Sequence, residues 1–259
     1  PLAMAFYNHT NDRIPFLIAT VITLLIGLSL KYIFISNDTT FSFREAFAIS
    51  AFGWTSVGFV SAIPMFITDY FGYQSIFGTI ANEFPYSHSI LACFSNCFFE
   101  SMSGYSGTGA SVISRIEDMP HPLLFWRCFH NGLGGMGILV LFVAILPSLG
   151  SAGSKLFKSE SSLSSADSSI QFPKVASLAK SLWLIYASMT IIVCVSLMIA
   201  GMSLFDASCH AFSVMGTGGF STKNTSIAAF NSVPIETMLF VFMFLGSLNC
   251  LLLRSLITG

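Results

Sequence analysis

The chain has 259 residues, of which 54% are hydrophobic and only 9% are charged, and its formal net charge at pH 7 is −1. Soluble domains carry about 25% charged residues, so this chain has too little charge to cover the surface of a soluble protein. The mean hydropathy of +0.76, with several segments longer than the roughly 18 apolar residues that cross a bilayer, predicts an all-α polytopic membrane protein in contact with lipid. Nothing in the near-neutral charge indicates nucleic-acid binding.

The first part of the chain is predicted to hold an N-terminal transmembrane helix and one helix–pore loop–helix repeat. The N-terminal unit covers residues 1–42, and the first repeat covers residues 43–149. The predicted apolar segments are, in chain order, Ile14–Ile35, Ala46 to about Ile67, Ser87–Gly104 and Pro122–Pro147. The third of these is interrupted by polar residues and is short for a transmembrane span, which favours a re-entrant helix.

The second part of the chain repeats the same order after a serine-rich segment. Residues 150–173 are predicted to form a cytoplasmic loop, and residues 174–259 form the second repeat. Its apolar segments are Val175–Ala200, Leu204–Met215 and Pro234 to about Ile257. With this loop inside, seven Lys or Arg residues lie on the inner side and four on the outer side, which agrees with the positive-inside rule.

Each short segment leads into a stretch of glycines and small polar residues. The first is Phe98–Ser111 (FFESMSGYSGTGAS) and the second is Val214–Thr222 (VMGTGGFST). Aligning Gly109 with Gly219 superimposes the two stretches, and it also pairs Ser103 with Ser213 and Ser111 with Ser221. A repeated discontinuous membrane element predicts a substrate site at the interface of the repeats.

The chemistry of these stretches suits a dehydrated cation. Glycine-rich backbone can direct successive carbonyl oxygens inward, where they replace the hydration shell of a potassium-sized ion. The negative end of each short helix points at its stretch and favours a cation over an anion. The predicted ion-binding residues are Ser106, Gly107, Thr108, Gly109, Gly216, Thr217, Gly218 and Gly219.

Two motifs resemble a known family. GYSGTGAS, followed by MPHPLLFWRCFHNGLGGMGILVLFVAILP, is similar to the first pore repeat of TrkH-type potassium uptake subunits in the Trk/Ktr/HKT superfamily, and HAFSVMGTGGFSTKNTSIAAFNS is similar to their second pore repeat. The resemblance implies a multi-pass protein of the bacterial inner membrane that takes up K⁺ through a backbone-carbonyl selectivity filter. It also implies a homodimer, a cytoplasmic nucleotide-binding regulatory subunit, no cofactor and no enzymatic activity.

The chain departs from this family pattern in three ways. Gly107 stands where the family usually has threonine, and Asn131 and Gly132 stand where Gln and Trp are common. Repeats three and four of the family are missing from the sequence, and two filter strands alone cannot surround an ion. We therefore expect either a longer gene product, truncated here, or the association of two chains.

Two other functions fit parts of the sequence. Gly104–Gly107 matches the GxSG pattern of rhomboid-like intramembrane serine proteases, with Ser106 as nucleophile and His130 as base. Against this, the second stretch has Gly216 at the position equivalent to the serine. The remaining alternative is a non-conducting, truncated half of a transporter.

Four features near the first stretch have structural interpretations. Glu100 is expected to hydrogen-bond the loop backbone, and Arg127 to pair with an acid or a carbonyl. His130 is interpreted as a core histidine with satisfied hydrogen bonds. The GLGGMG run, Gly132–Gly137, is expected to allow close helix packing.

Overall fold

The computed structural model describes residues 13–33, 43–71, 89–137 and 172–247, together with Pro1. Within these ranges the chain forms helices and no strand. The α-helices are α1 Arg13–Ile33, α2 Phe43–Tyr70, α3 Ile90–Tyr105, α4 His121–Met136, α5 Phe172–Ile199, α6 Leu204–Met215 and α7 Val233–Ser247. Two short 3₁₀ turns are Ile116–Asp118 and Ser226–Phe230. The predicted cytoplasmic loop lies almost wholly outside the described residues.

Three of the described helices are long and apolar enough to cross a bilayer. The spanning segments are Arg13–Ile33, Ala51–Tyr70 and Lys180–Ile199. Large apolar side chains project outward from them, and Leu24 and Leu184 are examples with 58% and 72% exposure. Such contiguous apolar surface is stable in lipid, where the helix satisfies its own backbone hydrogen bonds. The prediction of an all-α polytopic membrane protein is confirmed.

The helices form two units of the same kind. In the first, the short helix α3 packs against α2 and α4; in the second, the short helix α6 packs against α5 and α7. With 16 and 12 residues, α3 and α6 are shorter than the roughly 20 residues of a spanning helix. Both begin at a serine N-cap, Ser89 and Ser203, whose hydroxyl accepts a backbone N–H of the first turn. Helix α4 also packs against α6 and so joins the two units.

The prediction of one continuous helix over Pro122–Pro147 is wrong. Helix α4 ends at Met136, and Gly137 adopts a φ of 71° while its N–H donates to the carbonyl of Gly134. Glycine adopts a positive φ readily because it has no Cβ atom, and this conformation does not continue the helix. The end of the helix was not predicted because the apolar run continues unchanged past the glycine, so hydropathy gives no signal for it. Residues 138–147 lie outside the described part of the chain.

The GLGGMG run lets α4 pass directly against the ends of both short helices. A Cβ atom on Gly134 would overlap the backbone carbonyl of Tyr105, the last residue of α3. A Cβ atom on Gly135 would lie 2.6 Å from the Cα atom of Gly216, which follows α6. The expected close packing is therefore present at the C-terminal ends of both short helices.

Replacing Gly134 by alanine is expected to destabilise the protein by about 1–3 kcal/mol, because the added methyl group meets backbone atoms that cannot rotate away. Gly27→Ala is the matched control: it also adds a methyl group to a helical glycine, but nothing lies within 4 Å of its Cβ position. The control is expected to be neutral or slightly stabilising. The measurement is the midpoint of thermal unfolding in detergent, and equal midpoints for the two variants would contradict the packing.

Candidate functional site

The two glycine stretches lie against each other in the structure. Their glycine-rich cores, Ser106–Gly109 and Gly216–Gly219, follow the C-terminal ends of α3 and α6, and these cores are termed the first and the second glycine stretch. A Cβ atom on Gly107 would lie 3.3 Å from the carbonyl oxygen of Gly216, and one on Gly109 would lie 2.6 Å from that of Gly218. The structure thus brings all eight predicted site residues together, with backbone facing backbone.

The two stretches follow the same backbone path when Gly109 is aligned with Gly219. Three backbone hydrogen bonds of the first repeat each have a counterpart in the second. The bonds of the first repeat are Ser106 N to Met102 O, Gly107 N to Gly104 O and Thr108 N to Ser103 O. Their counterparts, in the same order, are Gly216 N to Phe212 O, Thr217 N to Val214 O and Gly218 N to Ser213 O. Both stretches also have positive φ angles at equivalent positions. The angle is 69° at Gly107 and 50° at its counterpart Thr217, and it is 68° at Gly109 and 125° at its counterpart Gly219. The repeat that the sequence indicated therefore extends to individual hydrogen bonds.

Both stretches are partly exposed and carry neutral oxygen atoms. The exposed residues are Ser106, Thr108, Thr217 and Gly219. The hydroxyl groups of Ser106 and Thr108 are hydrogen-bonded to each other at 2.7 Å. The C-terminal ends of α3 and α6 add the negative ends of two helix dipoles. Neutral oxygens and dipole ends of this kind can coordinate a cation without a fixed charge that would trap it.

A buried ion pair ties the segment after the first stretch to the middle of α3. Glu100 Oε1 accepts hydrogen bonds from Ser111 Oγ and Val112 N, both at 2.7 Å. Glu100 Oε2 pairs with Arg127 Nε at 3.0 Å, and the two side chains are 0% and 1% exposed. The guanidinium group also donates to Ser111 Oγ and lies 4.3 Å from the ring centre of Phe220 in repeat two. The structure confirms both sequence interpretations, of Glu100 and of Arg127.

A histidine makes the equivalent connection in repeat two. His210 is the counterpart of Glu100 in the alignment of the repeats, and its Nε2 atom is 3.0 Å from Ser221 Oγ, the counterpart of Ser111. Its Nδ1 atom is 2.7 Å from the carbonyl oxygen of Asp206, which can only accept, so Nδ1 carries the proton, and in the neutral ring Nε2 accepts from the serine. His210 was not predicted from the sequence. Extending the alignment of the glycine stretches back to Glu100 could have identified it.

Asp206 fixes the segment after the second stretch to the start of α6. Its Oδ1 atom accepts from Thr222 Oγ1 at 2.6 Å and its Oδ2 atom accepts from Ser203 Oγ at 2.7 Å. Burial raises the pKa of this carboxyl, but the two hydrogen bonds and the charge of Lys223 outweigh it and hold the pKa below its usual value. Asp206 therefore remains ionised at neutral pH and keeps accepting both hydrogen bonds.

The segments that follow the two stretches are also joined to each other. Asn224 Oδ1 accepts a hydrogen bond from Ile116 N at 2.7 Å, and Asn224 N donates to Glu117 Oε1 at 3.4 Å. These bonds connect residues 108 and 107 positions apart in the chain. They hold the segments that follow the two stretches in one arrangement.

Ser106 and His130 do not form a nucleophile–base pair in the structure. The Ser106 hydroxyl bonds Thr108 Oγ1 and the carbonyl of Ser103. The His130 ring is fully buried and stacks on Tyr105 at 4.6 Å. Neither ring nitrogen has a hydrogen-bond partner among the described residues, so the interpretation of His130 as a satisfied histidine is wrong. Aromatic neighbours fill the space around the ring without offering it donors or acceptors.

Comparisons with known proteins place these motifs in context. A family model described as TrkH, cation transport protein, matches residues 13–258. The Trk system potassium uptake protein TrkH of Salmonella typhimurium (strain LT2) is 38% identical over 216 residues, which are 83% of this chain and 41% of that protein. The protein of the same name from Vibrio parahaemolyticus is 33% identical over 249 residues, 96% of this chain and 47% of that protein. The crystal structure of the potassium transporter TrkH from Vibrio parahaemolyticus matches with a TM-score of 0.69 and 30% identity, over 93% of this chain and 44% of that chain.

Proposed function

This chain belongs to the TrkH family of cation transport proteins, and from that premise we propose that it forms part of a pathway for potassium uptake across the membrane. The observation that carries the proposal is the pairing of two glycine stretches with the same backbone path, each at the C-terminal end of a short helix. The relatives named as potassium uptake proteins support K⁺ as the transported ion.

In the proposed mechanism, K⁺ exchanges water for oxygen atoms of the two stretches. Carbonyl groups of Gly107–Gly109 and Thr217–Gly219 replace part of the hydration shell, and the ends of α3 and α6 stabilise the positive charge. Hydrogen bonds of the buried Glu100 and His210 side chains hold the residues that follow each stretch against α3 and α6. Transport by this route involves no chemical step and needs no cofactor.

The assembly around the chain is part of the proposal. The chain spans less than half the length of the relatives described above. Because two stretches cannot surround an ion, we propose that further stretches come from the same gene product or from another chain. By family resemblance, the complete protein is a multi-pass inner-membrane homodimer that works with a cytoplasmic nucleotide-binding regulatory subunit.

The two buried histidines test this proposal against the serine-protease alternative. His130→Phe is expected to leave K⁺ uptake unchanged, because the variant keeps the stack on Tyr105 and removes two nitrogen atoms that lack partners. His210→Phe is expected to destabilise the protein by about 1–3 kcal/mol and to impair uptake, because both nitrogen atoms of this ring are hydrogen-bonded.

The experiment expresses the complete coding sequence in bacteria that lack their own potassium uptake systems. Growth at low K⁺, the rate of K⁺ uptake and the thermal unfolding midpoint are compared for the wild type and the two variants. A wild type that reaches the membrane but supports no K⁺ uptake contradicts the proposal. Loss of function in His130→Phe with an unchanged unfolding midpoint supports a chemical role for this histidine instead.

A further inference from the structure

We propose that Asn131, on helix α4 of the first repeat, is a positioning residue for the second glycine stretch and thereby sets its affinity for K⁺. The inference rests on the proposed function, because it assumes that this stretch binds the transported ion. It differs from that function in assigning control of one repeat's ion-binding backbone to a side chain of the other repeat.

Asn131 reaches the backbone of the second stretch through one hydroxyl group. Its side chain is fully buried, and its Nδ2 atom donates to Ser213 Oγ at 3.3 Å. The same oxygen atom accepts the N–H of Gly219 at 3.0 Å. Because Ser213 lies in α6, a residue 82 positions earlier in the chain contributes to the hydrogen bonding of the ion-binding backbone.

The second stretch also lies directly on Asn131, with no space between them. A Cβ atom on Gly218 would overlap the amide group of Asn131, and a Cβ atom on Gly216 would overlap its backbone carbonyl. Interiors at this packing density do not adjust freely when one group changes volume. The Asn131 amide therefore determines how closely Gly218 approaches α4, and so where its carbonyl group can point.

The two repeats differ in the hydrogen bonds made by Ser213, which Asn131 contacts, and by its counterpart Ser103. In repeat one, Ser103 Oγ donates to the carbonyl of Ala110 at 2.6 Å, and Gly109 N bonds the backbone carbonyl of Ser103. In repeat two, the N–H of Gly219 bonds the side chain of Ser213 instead. The φ angles of the two equivalent glycines differ as well: the angle is 68° at Gly109 and 125° at Gly219. The backbone hydrogen bonds before this point are the same in both repeats.

Packing alone does not account for an asparagine at this position. Its Oδ1 atom is buried and has no hydrogen-bond partner among the described residues. An unsatisfied buried oxygen costs about 1–3 kcal/mol, so an apolar side chain of similar volume would fill the same space with less loss. The hydrogen bond from Nδ2 to Ser213 is the interaction that an apolar side chain cannot replace.

The test is a double-mutant cycle in the complete coding sequence, with Asn131→Ala, Ser213→Ala and the two combined. Each single variant is expected to raise the KM for K⁺ uptake about tenfold, in line with the loss of one hydrogen bond, while Vmax per folded molecule changes little. If Asn131 acts through Ser213, the double variant is no worse than the more severe single variant. Competition by Na⁺ is expected to increase in all three.

Leu123→Ala serves as the structural control. Leu123 is fully buried on the same helix, within an apolar cluster, so its truncation lowers stability without touching either stretch. Asn131→Ser is a milder second variant in case Asn131→Ala does not fold, since its shorter hydroxyl group keeps the site polar but does not reach Ser213. This variant is also expected to raise KM.

Two results would overturn the inference while leaving the proposed function intact. One is an Asn131 variant that behaves like Leu123→Ala, with a lower unfolding midpoint but an unchanged KM and unchanged Na⁺ competition. The other is additive effects of Asn131→Ala and Ser213→Ala. Failure of the proposed function is distinguishable, because the wild type itself then shows no saturable K⁺ uptake.

Discussion

Gly219→Ser is expected to weaken K⁺ uptake and reduce the preference for K⁺ over Na⁺. Gly219 has a φ of 125°, a conformation that residues with a Cβ atom rarely adopt, although nothing lies within 4 Å of the Cβ position. The expected effect therefore comes from the backbone. Strain of about 1–3 kcal/mol turns the carbonyl groups of the second stretch away from the ion, which corresponds to roughly a 5- to 150-fold rise in KM.

The chain provides a closely matched control in Gly201. This glycine lies in the turn between α5 and α6, has a φ of 105°, and also has nothing within 4 Å of its Cβ position. Gly201→Ser introduces the same kind of strain outside the glycine stretches. It is expected to lower the unfolding midpoint without changing ion preference. Rates of K⁺ uptake in the presence of increasing Na⁺ provide the measurement for both variants.

The assignment of Gly219 to ion binding is wrong if Gly219→Ser keeps both the KM and the K⁺ preference of the wild type. It is also wrong if Gly201→Ser changes ion preference as strongly, since the effect then follows from general destabilisation. The exposed side of Gly219 makes the first result informative, because the new hydroxyl group displaces no neighbour and so cannot alter ion binding through packing.

Arg127→Met is expected to destabilise the protein by about 3–5 kcal/mol, because it leaves the Glu100 carboxylate buried and unpaired. The same substitution removes the hydrogen bond to Ser111 and the contact with the ring of Phe220, so both repeats lose support. A loss of this size is expected to lower the thermal unfolding midpoint by about 10 °C and to reduce the amount of folded protein in the membrane.

Two further variants show how much of the lost stability comes from the unpaired, buried Glu100 carboxylate. The double variant Glu100→Gln/Arg127→Met leaves no charge in the site and is expected to recover much of the lost stability. Arg115→Met breaks an ion pair with Asp118 whose side chains are 67% and 66% exposed, and it is expected to change stability by less than about 1 kcal/mol. Equal unfolding midpoints for Arg127→Met and Arg115→Met would contradict the burial of the Glu100–Arg127 pair.

The hydrogen bonds of Glu100 and His210 hold equivalent parts of the two repeats in the same geometry with different chemical groups. In repeat one a carboxylate accepts from Ser111, and in repeat two the neutral nitrogen of His210 accepts from Ser221. Both place an acceptor in the middle of a short helix, opposite a serine that follows the glycine stretch. The carboxylate requires a buried counter-charge and has one in Arg127, whereas the neutral imidazole requires only a carbonyl oxygen for its second nitrogen.

Much of this arrangement could be predicted from the sequence because it depends on the composition and length of single segments. Low charge and long apolar runs predicted a membrane protein, and the 12-residue, mostly apolar segment before Gly216 predicted a helix too short to span. The alignment of Gly109 with Gly219 predicted the repeat. Such features follow from the length and composition of single segments, so they do not depend on what the segment packs against.

Only the tertiary structure decided which side chains meet. The pairing of Glu100 with Arg127 and the reach of Asn131 to Ser213 join residues 27 and 82 positions apart, and the direction of each side chain depends on how α4 packs against α3 and α6. The end of α4 at Gly137 was likewise invisible to hydropathy. The sequence alone determined two short helices leading into glycine stretches. Their packing on α4 decided how those stretches are held, because hydrogen bonds between distant residues exist only once the helices have docked.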